Sequence, residues 1–278
     1  MPSPKTQTIS AAVERVLRDA EVHENTLAIH DALDRVLYLE VNKVLEALGG
    51  KWSRTVRAHV FPRPVADILA VALDSGEALD VKKTYDVYET PDAIIARMLQ
   101  AAHSDVRRVR RALEPSAGSG RLVRAIRSKW PFAYITAVEI RECTIDGEPE
   151  RTIRADFLDV DPRVWGPFDI ILANPPFSNG LDVKHVTHML RFAHEAFVGT
   201  TRLVTIMSPS YSFNGKKESV AFRRWLGRRQ QAGDDVRIEQ LPEGTFAEMG
   251  TNVCSHLIAL DVTQEDRMEL DGYLRELK

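Results

Sequence analysis

Phe168-Asp169-Ile170-Ile171-Leu172-Ala173-Asn174-Pro175-Pro176-Phe177 is a largely apolar, β-branched run that breaks abruptly into two prolines. Its first six residues have the composition of a strand buried on both faces. The prolines remove two backbone donors, fix two φ angles and push the residue before each into an extended conformation. The stretch therefore predicts a stiff stub at the carboxyl end of a buried strand, presenting an amide side chain, bare carbonyls and an aromatic ring. In open α/β sheets that end of the strands is where ligands bind.

Upstream, Leu113-Glu114-Pro115-Ser116-Ala117-Gly118-Ser119-Gly120 lies between a short strand (112–115) and a helix carrying Leu122, Val123 and Ile126. Glycines there let backbone approach a ligand, and the helix start offers N–H groups to an anion. The loop lacks the Lys-Ser/Thr ending of a phosphate-binding P-loop. Glu139 ends the next strand (134–140), where a carboxylate can accept from ribose hydroxyls. Asp156-Phe157 follows a third strand (151–155), where a carboxylate and a ring suit an adenine. Tyr88-Glu89-Thr90-Pro91 opens the helix of Ile94, Met98, Leu99 and Ala102. Residues 141–150, with Asp146-Gly147 and Pro149, read as a turn where a helix would be usual, which bears on the assignment of Asp156.

Taken in this order, these pieces resemble the class I S-adenosylmethionine-dependent methyltransferases. Asn-Pro-Pro-Phe after an apolar strand is similar to the motif of the N6-adenine DNA methyltransferases among them. The resemblance covers residues 84–261. It implies a Rossmann-like α/β sheet with helices on both faces and S-adenosyl-L-methionine as cofactor. It assigns Thr90, Pro91, Glu114, Ser116, Ala117, Gly118 and Gly120 to the methionine end, Glu139 to the ribose, and Asp156 with Phe157 to the adenine. Catalysis would fall to Asn174, Pro175, Pro176 and Phe177. The exocyclic amine of adenine is a poor nucleophile, because its lone pair is delocalised. Two acceptors, the Asn174 side-chain oxygen and the Pro175 carbonyl, would favour a more tetrahedral nitrogen, as fixed dipoles need no reorganisation. Phe177 would stack on the base, a contact of about 1–3 kcal/mol. No Pro-Cys nucleophile motif is present, which excludes cytosine carbon-5 methylation. RNA adenine and a protein glutamine amide are competing substrates; a non-catalytic nucleic-acid-binding regulatory module is the alternative from another class.

The remaining strands are expected at 202–207, 236–241 and 253–260, with helices through Val183 to Phe197 and around Val220, Trp225 and Leu226. The latter carries Arg223, Arg224, Arg228 and Arg229 on its other face. Residues 262–278 read as a polar C-terminal tail, with one short helix as the alternative. Ahead of the methyltransferase-like region, residues 1–83 predict a small α/β helix–hairpin–helix unit. Ser10 caps a first helix, Leu33 to Leu48 forms a second helix whose Val36-Leu37-Tyr38-Leu39 also suits a strand, and Lys51 to Phe61 reads as a hairpin. Pro64 opens a further helix ending at Gly76, and residues 77–86 read as a charged linker. Lys51, Trp52, Arg54 and Arg57, with Arg63 and Phe61, form a basic aromatic patch without an acidic residue, a candidate nucleic-acid contact set against a solvated edge hairpin. Loops 208–217 and 242–252 are further candidates for recognition.

Composition sets the outer bounds. The 278 residues carry 44% hydrophobic and 28% charged residues, as in a soluble globular protein, and a net charge of −3. Contact with DNA, or with RNA, must then come from local patches rather than a global basic field. Cys143 and Cys254 form no CxxC pattern and fit a reducing compartment, and no stretch is long and apolar enough to span a bilayer, so a cytoplasmic location is expected. His185 and His188 share a helix face without a completing carboxylate set, so no metal is expected. Arg107, Arg108, Arg110 and Arg111 form a basic run read chiefly as a solvated face, and Tyr211 and Phe213 are divided between a pocket wall and core packing.

Overall fold

A computed structural model of the chain describes residues 5–61, 64–80, 89–102, 108–243, 245 and 254–277. Arg63, Tyr88, Arg107 and most of the 242–252 loop lie outside these residues. The chain divides into two compact units, Met1–Val87 and Tyr88–Lys278.

The first unit begins with β1 (Thr6–Thr8) and α1 (Ala11–Arg18), where Ser10 Oγ accepts from Val13 N. It continues through β2 (Glu21–His23), β3 (Thr26–Ala28), α2 (Arg35–Ala47), β4 (Lys51–Ser53), β5 (Ala58–Val60), α3 (Ala66–Ser75) and β6 (Glu77–Leu79). Residues 36–39 are helical because the Asp34 carboxylate accepts from both Val36 N and Leu37 N, capping α2 just ahead of them. The 51–60 hairpin forms one side of a four-stranded antiparallel sheet, β2-β3-β5-β4. Glu77–Leu79 is not linker: it pairs antiparallel with β1 and buries Ala78.

The second unit runs α4 (Asp92–Ala101), β7 (Arg111–Glu114), α5 (Arg121–Lys129), β8 (Tyr134–Glu139), β9 (Arg151–Arg154), α6 (Pro162–Trp165), β10 (Ile170–Ala173) and α7 (Leu181–Met189). It then adds β11 (Thr201–Met207), α8 (Lys217–Gln231), β12 (Arg237–Gln240), β13 (His256–Val262) and α9 (Gln264–Glu276). The seven strands lie in the order β12-β13-β11-β10-β7-β8-β9. β9, β8, β7, β10 and β11 are parallel, and β13 runs antiparallel between β11 and β12. This is a Rossmann-like sheet whose strand order reverses between β7 and β10.

Alternation along the strands covers both faces. Ile170 and Leu172 join Ile94, Met98, Val123 and Ile126 of α4 and α5 in one core. Ile171 and Ala173 join Val183, Val186, Phe222, Trp225 and Leu270 in the other. Asp169 fixes the register at the far end of β10: its Oδ2 accepts from Arg110 N and Arg111 N at 2.7 and 2.8 Å, and its Oδ1 lies 3.0 Å from His194 Nε2.

Two boundaries differ from the sequence expectation. The helix of Val183 does not reach Phe197; it tightens at Leu190–Phe192 and stops at the extended Ala193, leaving Phe197 84% exposed. Residues 264–276 form a full helix, longer than the short one expected as the alternative to a tail. Thr263 caps it, Leu270 is buried, and Trp225 Nε1 of α8 donates to Asp266 Oδ1 at 3.0 Å. The polar composition there reflects one buried stripe on an otherwise wet helix.

Candidate functional site

β7 and β10 are adjacent and parallel, with Ile170 opposite Ala112 and Ile171 opposite Leu113. Both strands therefore release their following loops at one edge, 115–120 beside 174–177, where the strand order reverses. The glycine loop folds back across β8: Ala117 N donates to Val138 O at 2.8 Å and Gly118 N donates to Glu139 Oε2 at 2.7 Å. Gly120 has φ +92°, and a Cβ there would lie 2.2 Å from Asp146 O. The turn at 141–150 is thus packed onto the loop, with Asp146 N donating to Ser119 O at 2.8 Å. Gly118 differs: a Cβ there would meet nothing nearer than Arg141 Nη2 at 3.9 Å, so the loop has room on its outer side.

Two carboxylates flank this loop. Glu114 is 1% exposed; one oxygen accepts from Ser116 N at 3.2 Å, and Oε2 is buried without a partner among the described residues. Burial pushes its carboxyl well above the usual range; the Ser116 N–H opposes this and the neighbouring Glu139 adds to it. Ionising this carboxyl would cost free energy unless a cation paired its orphaned oxygen. Glu139 is also buried, and its second oxygen accepts from Arg141 N and Nε at 2.9 and 2.8 Å. Arg141 was not singled out in the sequence because it sits in an irregular turn.

After β9, half-buried Asp156 caps a short turn, accepting from Leu158 N at 3.0 Å. Phe157 is 2% exposed and sits among His185, His188 and Phe192, with ring centroids 5.5, 4.9 and 5.3 Å away. Its ring supports Asp156 from the core side rather than lying open. His188 Nε2 donates to Val160 O at 3.0 Å, and His185 Nδ1 lies 3.4 Å from Ser116 Oγ. Burial depresses His185 to about 4, with Asp156 opposing the shift and His188 adding to it, so the ring is neutral near pH 7. Among the described residues no group of three or more His, Cys, Asp or Glu side chains is arranged to hold a metal.

At the proline corner, Asn174 is half-buried and its Nδ2 donates to Thr90 Oγ1 at 3.1 Å. Thr90 is 5% exposed and precedes Pro91, the extended cap residue of α4. Pro175 is buried, and Pro176 and Phe177 are half-buried, with Phe177 resting against the α4–α5 core. Behind the corner, the fully buried Asp182 accepts from Ser208 N at 2.9 Å and so ties α7 to the end of β11. Tyr211 is core, with its hydroxyl 2.9 Å from His256 Nδ1 and burial pushing it to about 12, whereas Phe213 is exposed.

Several basic residues have structural partners. Arg111 donates to Trp165 O and Gly166 O and lies over the Phe168 ring. Arg223 donates to Tyr211 O and Asn214 O, and Arg229 pairs with Asp234 and Asp266. In the first unit, Lys51, Arg54 and Arg57 are exposed. Trp52 is 50% exposed, its ring edge-on to His59 at 5.2 Å, and Arg57 has φ +52° in the hairpin turn.

No family model and no curated protein matches the sequence. Among solved structures, the chain is similar to the plantazolicin methyltransferase BpumL in complex with a desmethylPZN analog and SAH, with a TM-score of 0.42 at 13% identity over 63% of this chain and 86% of that one. It is also similar to the 16S rRNA methyltransferase KamB, with a TM-score of 0.38 at 11% identity over 63% and 95%. An O-methyltransferase family protein from Burkholderia thailandensis gives 0.36 at 13% identity over 62% and 58%.

Proposed function

We propose that the second unit is an S-adenosylmethionine-dependent methyltransferase acting on the exocyclic N6 amine of adenine in DNA. The observation that carries this reading is the parallel pairing of β7 and β10, which brings the glycine loop and the Asn174–Phe177 corner to one edge of the sheet. The donor set suits the cofactor. Glu114 offers an orphaned buried carboxylate oxygen to a cationic group, and the open side of Gly118 lets backbone approach it closely. Glu139 and half-buried Asp156 supply acceptors for ribose and adenine at the ends of β8 and β9. When bound, S-adenosylmethionine would supply an electrophilic sulfonium methyl.

The chain's own part is positioning and fixed polarity. Asn174 Oδ1 and the Pro175 carbonyl accept the two N–H bonds of the amine and make its nitrogen more tetrahedral. The nitrogen would gain the methyl as the methyl's bond to the cofactor sulfur breaks to leave a neutral thioether, and would then lose one proton to solvent water, so no enzyme-bound covalent intermediate forms. Phe177, held by packing on its core side, stacks on the base. In a duplex the base would be flipped out to reach the corner. Lys51, Arg54 and Arg57 contact phosphates and Trp52 stacks on a base.

Incubation with tritiated-methyl cofactor and separate DNA, RNA and protein acceptors, followed by nucleoside and amino-acid analysis, tests this reading. Label in DNA N6-methyladenine is the expected result. Label in RNA adenine or a glutamine amide would replace the substrate, and absence of cofactor binding at millimolar concentration would overturn the reading and favour a non-catalytic module.

A further inference from the structure

Trp52 of β4 stands directly opposite His59 of β5, and the two rings meet edge to face at 5.2 Å with an interplanar angle of 65°. The indole is 50% exposed, whereas the imidazole is 3% exposed. On its far side His59 reaches α2, where its Nε2 lies 2.9 Å from Asn42 Oδ1. Asn42 Nδ2 in turn donates to Glu46 Oε1, one turn further along the helix, at 2.7 Å. A carboxylate only accepts, so Glu46 decides which way the Asn42 amide faces. The amide oxygen also only accepts, so His59 must donate from Nε2. The relay Glu46–Asn42–His59 thus fixes both the tautomer and the plane of the ring that meets Trp52. Burial holds His59 below its usual range against the opposing pull of Glu46, so the ring is neutral near pH 7.

An apolar side chain would fill this space without the cost of desolvating and matching two ring nitrogens. What the imidazole adds is a ring of fixed orientation beside an indole on the edge strand of the β2-β3-β5-β4 sheet. We propose that His59, oriented by Asn42 and Glu46, is a positioning residue that holds the Trp52 indole ready to stack on a base of single-stranded nucleic acid. The occupant follows from the chemistry of the patch. Arg54 and Arg57, both exposed in the turn between the two strands, suit a polyanion, and the half-exposed indole suits a planar ring. The proposal rests on the nucleic-acid role given to the hairpin above and adds the device that prepares it. A ring already held in place loses less freedom when a base stacks on it, and the difference appears as affinity.

The test is a double-mutant cycle on the full chain, with a fluorescein-labelled oligodeoxythymidine followed by anisotropy. His59→Ala should weaken binding by about two- to tenfold, the range of one aromatic pair, and should have no further effect once Trp52 is alanine. Asn42→Ala keeps both rings but frees the imidazole, so a smaller loss with the same dependence on Trp52 is expected. It also carries the test should His59→Ala melt early. Quenching of Trp52 fluorescence by the oligonucleotide, taken as the difference from a Trp52→Phe chain, should fall in the same order. The salt slope should stay as in the wild type, because no cation is removed. Losses that simply add in the double variant, or wild-type affinity in both the His59 and Asn42 variants, would overturn the proposal and leave the hairpin reading on Trp52 alone. Wild-type affinity in Trp52→Ala would instead overturn the hairpin reading itself, and the proposal with it.

Discussion

The proline corner after β10 and the basic hairpin Lys51–Val60 are both turns that carry an aromatic ring and polar groups, yet they are held in opposite ways. The corner is fixed from several sides. Pro175 is buried, Phe177 leans on the α4–α5 core, Asn174 is bonded to Thr90, and Asp182 anchors the helix behind it. The hairpin displays Trp52 half-exposed and Arg54 and Arg57 to solvent, with the edge of His59 against the indole. Rigid placement suits a group whose dipoles must already point at a developing charge. Exposed cations and a propped ring suit a surface that meets a polyanion of variable sequence, where electrostatics and stacking dominate. On the function proposed above the difference would separate chemistry from capture, and mutations at the two places should separate the same way.

The largest effect is expected at the corner. Asn174→Ala should lower methyl transfer by about 10²–10³-fold, the usual result of removing one preorganised polar group. Cofactor affinity measured by calorimetry should stay nearly unchanged, because the glycine loop keeps its own bonds to Val138 and Glu139. Unchanged turnover would remove the acceptor role and with it the contrast between the two regions.

Next comes Glu114→Gln, which sets function against stability. Burial raises the folded-state pKa of Glu114 above its unfolded value, so the unfolded chain loses its proton first as pH rises. The wild-type second unit should therefore lose stability from the ordinary carboxylate range upward, through the raised folded pKa. The glutamine variant should lack this slope and melt higher at pH 8 than the wild type, while binding S-adenosylmethionine roughly tenfold or more weakly for want of the charge. Parallel melting curves at pH 5 and pH 8 for both proteins would contradict the assignment.

A structural counterpart is Gly120→Ala. The new Cβ would meet the Asp146 backbone, in a left-handed conformation that alanine resists. About 1–3 kcal/mol of destabilisation is expected. Denaturant midpoints check it, and a neutral result would mean that the 141–150 turn yields easily.

How much of this was legible in the sequence follows from the range of the interactions. The strands at 111–114, 134–139 and 170–173 were readable, because burial leaves an apolar run and the glycines and prolines punctuate it. The capping role of Ser10 was readable too, because it involves a neighbour three residues away. By contrast, β2 and β3 are three residues each, too short for alternation to stand out, and α9 buries a single stripe that polar neighbours conceal. Nothing local announces that His188 and Phe192 enclose Phe157. Thr90 with Asn174, and Ser116 with His185, are separated by 84 and 69 residues, and only the closed sheet brings them together.

The smallest effects should appear at the hairpin, and they sharpen the comparison because stability should not move with them. Replacing Lys51, Arg54 and Arg57 by glutamine should leave the melting temperature within about a degree, since all three are exposed. If each cation meets one phosphate, the slope of log affinity against log salt for single-stranded DNA should flatten by about 2–3, near 0.9 per contact or somewhat less for single strands. Trp52→Ala should weaken binding by about 1–3 kcal/mol with little change in that slope, because stacking is not an ionic contact. A slope unaltered by the charge removal would return the hairpin to a solvated edge, and the corner would then have to draw its nucleic acid from the second unit or a partner. Should the Trp52 variant instead melt well below the wild type, the indole would belong to the core of the first unit and the contrast drawn here would fail at its weaker side.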